Sequence, residues 1–152
     1  MPYNSRFASK EELALHLAAT PDQTTLLVEK YTQAELVELP DNLTSLRIYH
    51  CPHLLALPKL PKSLSELRIH NCPSLAELPN FPSTMTSLLI SKCSALRELP
   101  ALTYGLKELR LELAGLADLP VLPDSLSFLH LSGCSGLVGR SIQVGKLRIK
   151  IG

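Results

Sequence analysis

The sequence predicts an α/β solenoid: short parallel strands, one per coil, stacked into a curved right-handed superhelix with a concave sheet on one side and irregular, polyproline-like backbone on the convex side. Three observations lead there. Leucine supplies 34 of 152 residues, more than a fifth of the chain, which marks a repetitive apolar pattern rather than an irregular globule. The phrase LxxLxL recurs from Leu43, Leu64, Met85, Leu106 and Leu126, in steps of 21, 21, 21 and 20 residues. Between copies the chain reads LPKLP, LPNFP, LPALT and LPVLP, and proline removes the donor and the space that a helix interior needs.

The organisation is a single domain, residues 1–152, with a helical cap over 1–22 and repeats over 23–152. In the cap, Ser9-Lys10-Glu11-Glu12 is a capping box, with Ser9 as N-cap and Glu12 reaching back. Leu13, Ala14, Leu17 and Ala18 then fall at helical spacing up to Pro21. A short amphipathic helix is expected there, covering the open end of the first coil, as solenoids require.

Each LxxLxL is a short strand whose alternate residues point inward. The inward pairs are Leu46 and Ile48, Leu67 and Ile69, Leu88 and Ile90, Leu109 and Leu111, and Leu129 and Leu131. No copy can bury its apolar face alone; stacking does so. A period of about 20–29 residues with L-x-x-L-x-L-x-x-N/C is the leucine-rich-repeat signature. An irregular first copy, TLLVEKYTQAELVELP, precedes the regular set, and a partial last copy, VGKLRIKIG, begins at Val144. Its Lys146, Arg148 and Lys150 are expected to protect the final sheet edge by charge; the alternatives are that the edge is a docking site or that a longer natural form continues it.

Cys51, Cys72, Cys93 and Cys134 all take the ninth position of their copies, where the fourth copy has Ala114. At the turn leaving the strand a small side chain fills the bend and bonds to neighbouring backbone. His50-Cys51-Pro52-His53 invites a zinc reading, but the spacing fits no zinc pattern and inward cysteines cannot share a metal with outward histidines. Packing is the expected role of these thiols, with no disulfide, no metal and no cofactor.

The outward columns of the strands vary from copy to copy. The central one reads Arg47, Arg68, Leu89, Arg110, His130 and Arg148; the preceding one Ser45, Glu66, Ser87, Glu108, Phe128 and Lys146; the following one Tyr49, His70, Ser91, Glu112, Ser132 and Lys150. Three readings compete. The arginines can simply solvate the sheet and pair with Glu66 and Glu108. They can belong to a protein-binding face, since Arg and aromatics such as Tyr49 and Phe128 are favoured at interface centres and Leu89 is an apolar centre in a charged rim. Or they can meet nucleic acid, against which the glutamates interrupt the basic stripe.

Net charge is +1 and Trp is absent, which disfavours nucleic acid in bulk and a base-stacking platform. No apolar run approaches the roughly 20 residues of a membrane helix. The N-terminus lacks the apolar core of a cleaved secretory signal. There is no Gly-rich phosphate loop, G-x-S-x-G or H-E-x-x-H, so no enzyme is expected.

The phrase L-P-x-L-P-x-x-L-x-x-L-x-(I/L/V), as in LPKLPKSLSELRI (57–69) and LPVLPDSLSFLHL (119–131), resembles the short repeats of secreted bacterial leucine-rich-repeat effectors: the IpaH-like ubiquitin ligases, the YopM type and the Legionella leucine-rich effectors. The resemblance spans about residues 9–152. Ligase members carry a further catalytic domain with a C-x-D motif, and none of the four cysteines here is followed by x-Asp. The resemblance therefore implies partner recognition without ligase activity. It implies a monomer in a reducing cytoplasm, delivered into a host cell as a virulence factor, that blocks one host protein or a second bacterial effector. Arg47, Tyr49, Glu66, Arg68, His70, Leu89, Glu108, Arg110, Phe128 and His130 are the expected contact residues, with an acidic surface on the partner. The competing expectation is the substrate-recognition part of a larger enzyme such as a ubiquitin ligase.

Overall fold

The structure is a computed structural model that describes residues 6–112, 114–138, 141–144 and 147–150. Six strands, β1 (Thr25–Glu29), β2 (Ser45–Tyr49), β3 (Glu66–His70), β4 (Ser87–Ser91), β5 (Glu108–Glu112) and β6 (Phe128–Ser132), form one all-parallel sheet in chain order. Each coil contributes one strand, so the architecture is a stack of solenoid coils. The register carries every repeat position onto its counterpart: Arg47 lies beside Arg68, Arg68 beside Leu89, Leu89 beside Arg110, and Arg110 beside His130.

Alternation sets the core. Leu46, Ile48, Leu67, Ile69, Leu88, Ile90, Leu109 and Leu111 are all fully buried, and each contributes about 1.5–3 kcal/mol by leaving water. The last strand departs from this: Leu129 and Leu131 are only partly buried, because no further described strand of this sheet stacks on them.

Two sets of polar contacts hold successive coils in register. Ahead of β3, β4 and β6 a hydroxyl donates to backbone carbonyls of the preceding coil: Ser63 to Asp41 and Leu43, Thr84 to Lys62 and Leu64, and Ser125 to Leu106. Two residues on, Thr44, Ser65, Thr86 and Ser127 donate likewise to Thr24, Thr44, Ser65 and Lys107. At the strand exits Lys30, His50, Asn71 and Lys92 have φ between 53° and 56°. Their N–H groups donate to the last carbonyl of the next strand, at 2.9–3.0 Å, which offsets the strain of a left-handed non-glycine residue.

The ninth position follows at once. Cys51, Cys72 and Cys93 are fully buried free thiols, and Cys134 is nearly so. Each thiol donates to the carbonyl two residues back, Tyr49, His70, Ser91 or Ser132. Each of the first three sulfurs also receives a backbone N–H from the preceding coil, that of Tyr31, Cys51 and Cys72 in turn. In the first coil Tyr31 takes this place, fully buried, with its hydroxyl donating to Glu35 O at 3.0 Å.

The proline-rich half returns the chain to the sheet. Pro40, Pro61, Pro82 and Pro123 each accept, at 3.0–3.1 Å, from the N–H of the leucine or methionine three residues on, and Thr103 does so where a proline is missing. Outer backbone is otherwise irregular, with isolated parallel bridges from Glu35 to Ala56 and Ala56 to Glu77.

Helix α1 (Lys10–Ala19) starts as expected: Ser9 Oγ accepts from Glu12 N at 3.2 Å. The Glu12 carboxylate reaches one residue further back than a capping box requires, accepting from Ala8 N at 2.7 Å. Leu13 is fully buried and Leu17 partly so, but Ala14 and Ala18 are exposed, so the buried stripe is narrower than predicted. Phe7 and Tyr31 complete the plug. Arg6 bridges to Glu29 along the free edge of β1. Among the described residues no helix is long and apolar enough to cross a membrane.

The expected last copy is corrected. β7 (Ser141–Val144) and β8 (Leu147–Lys150) form a separate antiparallel pair, with Arg148 opposite Gln143 rather than beside His130. Leu147 follows Leu129 by only 18 residues, against 20 or 21 for every other step, too few to close a coil. Lys146 lies outside the described residues, as do the side chains of Arg148 and Lys150.

Candidate functional site

Ten side chains were expected to share one face, and all ten project from the outward side of the sheet. Arg47, Tyr49, Glu66, Arg68, His70, Leu89, Glu108, Arg110 and His130 are half-buried, and Phe128 is exposed. Two of their column neighbours are not open to solvent as expected: Ser45 is 8% and Ser91 2% exposed. Both are short side chains in register with longer ones, Ser45 with Glu66 and Ser91 with His70 and Glu112.

The arginines are held rather than free. Glu66 Oε1 lies 3.2 Å from Arg47 Nη2 and 2.6 Å from Arg68 Nε. The Arg47 Nε–H also donates to that oxygen at 3.3 Å, whereas the Arg68 contact is close but lacks hydrogen-bond alignment. Arg110 sits over the Phe128 ring at 5.0 Å, a cation–π contact, with Glu108 3.7 Å away. Glu108 in turn accepts from Ser87 Oγ at 3.1 Å. His130 Nε2 is 3.5 Å from Glu112 Oε1. Leu89 has these pairs on both flanks, through Arg68 and Arg110.

Above Arg68 the face becomes a ring cluster. His70 meets Tyr49 and His50 edge-on, at 6.2 and 5.3 Å between centroids. Its Nδ1 is 2.6 Å from Ser91 Oγ, and Asn71 Nδ2 is 2.9 Å from His50 Nδ1. Burial, then the neighbouring His50 and Lys92, hold the His70 pKa below its ordinary value, with Glu112 opposing. The Ser91–His70 contact has the form of a nucleophile beside a base, but Ser91 is sealed from solvent, so the bond orients the imidazole instead.

His50, Asn71 and Ser91 were not among the expected contact residues. The signal was present: His50, Asn71 and Lys92 fill one repeat position, and asparagine is a residue that tolerates left-handed backbone. A second surface was also missed. Tyr104 is 95% and Val121 89% exposed, and with Leu102, Pro120 and Leu122 they line a shallow groove on the turn side of the solenoid.

Buried thiols and surface histidines stay apart: Cys51 is buried while His50 and His53 are exposed. Among the described residues no three His, Cys, Asp or Glu side chains come together in a metal-binding group. Burial raises the Cys93 pKa. The neighbouring Cys51 and Cys72 thiols interact, which lowers Cys51 and raises Cys72. For the pair as a whole the direction is upward, since burial opposes thiolate at both.

Comparison with known protein families, curated proteins and solved structures finds no match to this chain.

Proposed function

We propose that this chain is a leucine-rich-repeat protein of the bacterial effector type that binds another protein with the outward, concave face of its sheet and acts by occupying that partner. One observation carries the reading: a continuous band of half-exposed side chains in which Arg47, Arg68 and Arg110 have carboxylate or aromatic neighbours around the apolar Leu89. Side chains already held in place lose less freedom on binding, which favours an interface over a merely solvated surface. Arginine and aromatic anchors are the residue types that dominate interface energetics. The unpaired buried thiols fit a reducing compartment, and the regular coils offer the face as one rigid surface.

The test is affinity capture on the immobilised chain, from host lysate and from lysate of the producing organism separately, beside a folded Arg68→Glu/Arg110→Glu variant. One protein retained by the native chain and lost by the variant is the expected outcome. Equal retention by both overturns the assignment to this face and moves the interface to the Tyr104–Val121 groove or the last strand.

A further inference from the structure

In the Arg47–Glu66–Arg68 triad two cations share one carboxylate, and a single oxygen of Glu66 takes the close contact from both. The Arg68 Nε–H is buried and has no aligned acceptor. The Ser45 hydroxyl, in register with Glu66, is also buried and lacks a hydrogen-bond partner. The triad thus carries one net positive charge, and the side chains of Arg47 and Arg68 are each 40% exposed. The surroundings do not supply the missing acceptor. Ser87, beside Glu66 on β4, donates away from the triad to Glu108. On β1, Glu29 lies 3.9 Å from Arg6. Next to Arg68 on β4 stands Leu89, which offers only an apolar floor.

We infer that Arg47 and Arg68 form a subsite for one side-chain carboxylate of the partner, an Asp or Glu on an acidic segment, with Glu66 as a resident competitor for the same donors. This rests on reading the face as protein-binding. A monoanion brings the triad to neutrality, whereas a phosphate dianion would overshoot it. Guanidinium groups are suited to such a ligand because several N–H donors lie in one plane. The apolar part of the incoming segment then meets Leu89 and Tyr49.

The test uses the full-length, isotope-labelled chain at low salt, titrated with a capped triglutamate peptide and with capped triglutamine as control, following the guanidinium Nε–H resonances of Arg47 and Arg68. Triglutamate is expected to shift both saturably and triglutamine neither. Glu66→Gln, which removes the competitor's charge, is expected to tighten triglutamate binding by about tenfold. A merely structural role for Glu66 predicts equal or weaker binding in that variant, and that result overturns the proposal. So does the absence of any saturable shift in the native chain, a measurement that needs no variant to fold. A partner captured by the native chain without a peptide response would keep the binding face and remove the subsite. A peptide response without a captured partner would keep the subsite and remove the larger reading.

Discussion

The backbone N–H of Cys51 is directed at the sulfur of Cys72, one coil further on. The Cys72 thiol in turn lies 3.6 Å from the carbonyl of His70. A small group that accepts on one side and donates on the other suits this bend, so these buried cysteines need no chemistry to account for them. Cys72→Ala leaves a small void and an N–H without its acceptor, while the His70 carbonyl keeps its bond from His50 N, and should lower stability by about 1–2 kcal/mol in urea denaturation. Burial also predicts that alkylating reagents modify Cys72 and Cys93 only after denaturant is added. Rapid labelling of either in the native chain would contradict the packing described.

Position in the stack decides what an inward leucine is worth. Leu67 is fully enclosed between coils, whereas Leu129 on β6 is only partly covered. Leu67→Ala should cost about 2–5 kcal/mol, and Leu129→Ala nearer to about 1 kcal/mol. Equal losses in the two denaturation midpoints would mean that β6 is covered by something other than the described strands.

Two glycines that both face the preceding coil should respond in opposite ways. A Cβ on Gly115 would stand 2.1 Å from the Ser94 carbonyl oxygen, while one on Gly105 would meet nothing nearer than Ser83 O at 3.5 Å. The short fourth copy, with Ala114-Gly115-Leu116 in place of C-x-x-L, brings its chain onto the backbone of the preceding coil. Gly115→Ala should therefore destabilise by about 1–3 kcal/mol. Gly105→Ala should be near neutral or slightly stabilising, through the lower entropy of its unfolded chain. Paired thermal melts read both.

The parallel sheet and its inward columns were legible because a fixed period puts the same residue at the same place in every coil, and Leu67 on Leu46 can be read by counting. The arginine row was legible for the same reason. Its ion pairs were legible only as candidates: Glu66 and Arg68 are two apart on one face of β3, and Arg47 lies across the register. Which oxygen is shared is a matter of side-chain rotamers that no pattern fixes. The last copy misled because Leu147-Arg148-Ile149-Lys150 repeats the phrase of Leu46-Arg47-Ile48-Tyr49, and a single strand does not specify the direction of its partner. The 18-residue step was the better guide, since coil closure needs length. The hydroxyl rows, Ser63, Thr84 and Ser125 and then Thr44, Ser65, Thr86 and Ser127, were visible as columns, but polar residues beside turns read as solvated until their carbonyl acceptors are seen.

His70 sets a pH dependence whose sign follows from its surroundings. Tyr49 and His50 flank it on one side, Ser91 and Lys92 on the other, with Glu112 beyond them. Burial first, and then the charges of His50 and Lys92, depress its pKa below 6.5. The unfolded chain therefore takes up the proton at a higher pH than the folded one does. Stability from this group is fully present above the unfolded value, falls as pH drops through 6.5, and is lost by the time pH passes the lower native value. Urea midpoints measured across this range should decline toward acid in the native chain and decline less in His70→Gln, whose amide can still bond Ser91 Oγ. An unchanged slope in the variant would assign the acid sensitivity to the other histidines. A steeper slope would mean that His70 is protonated in the fold and paired with Glu112, reversing the sign argued from its burial.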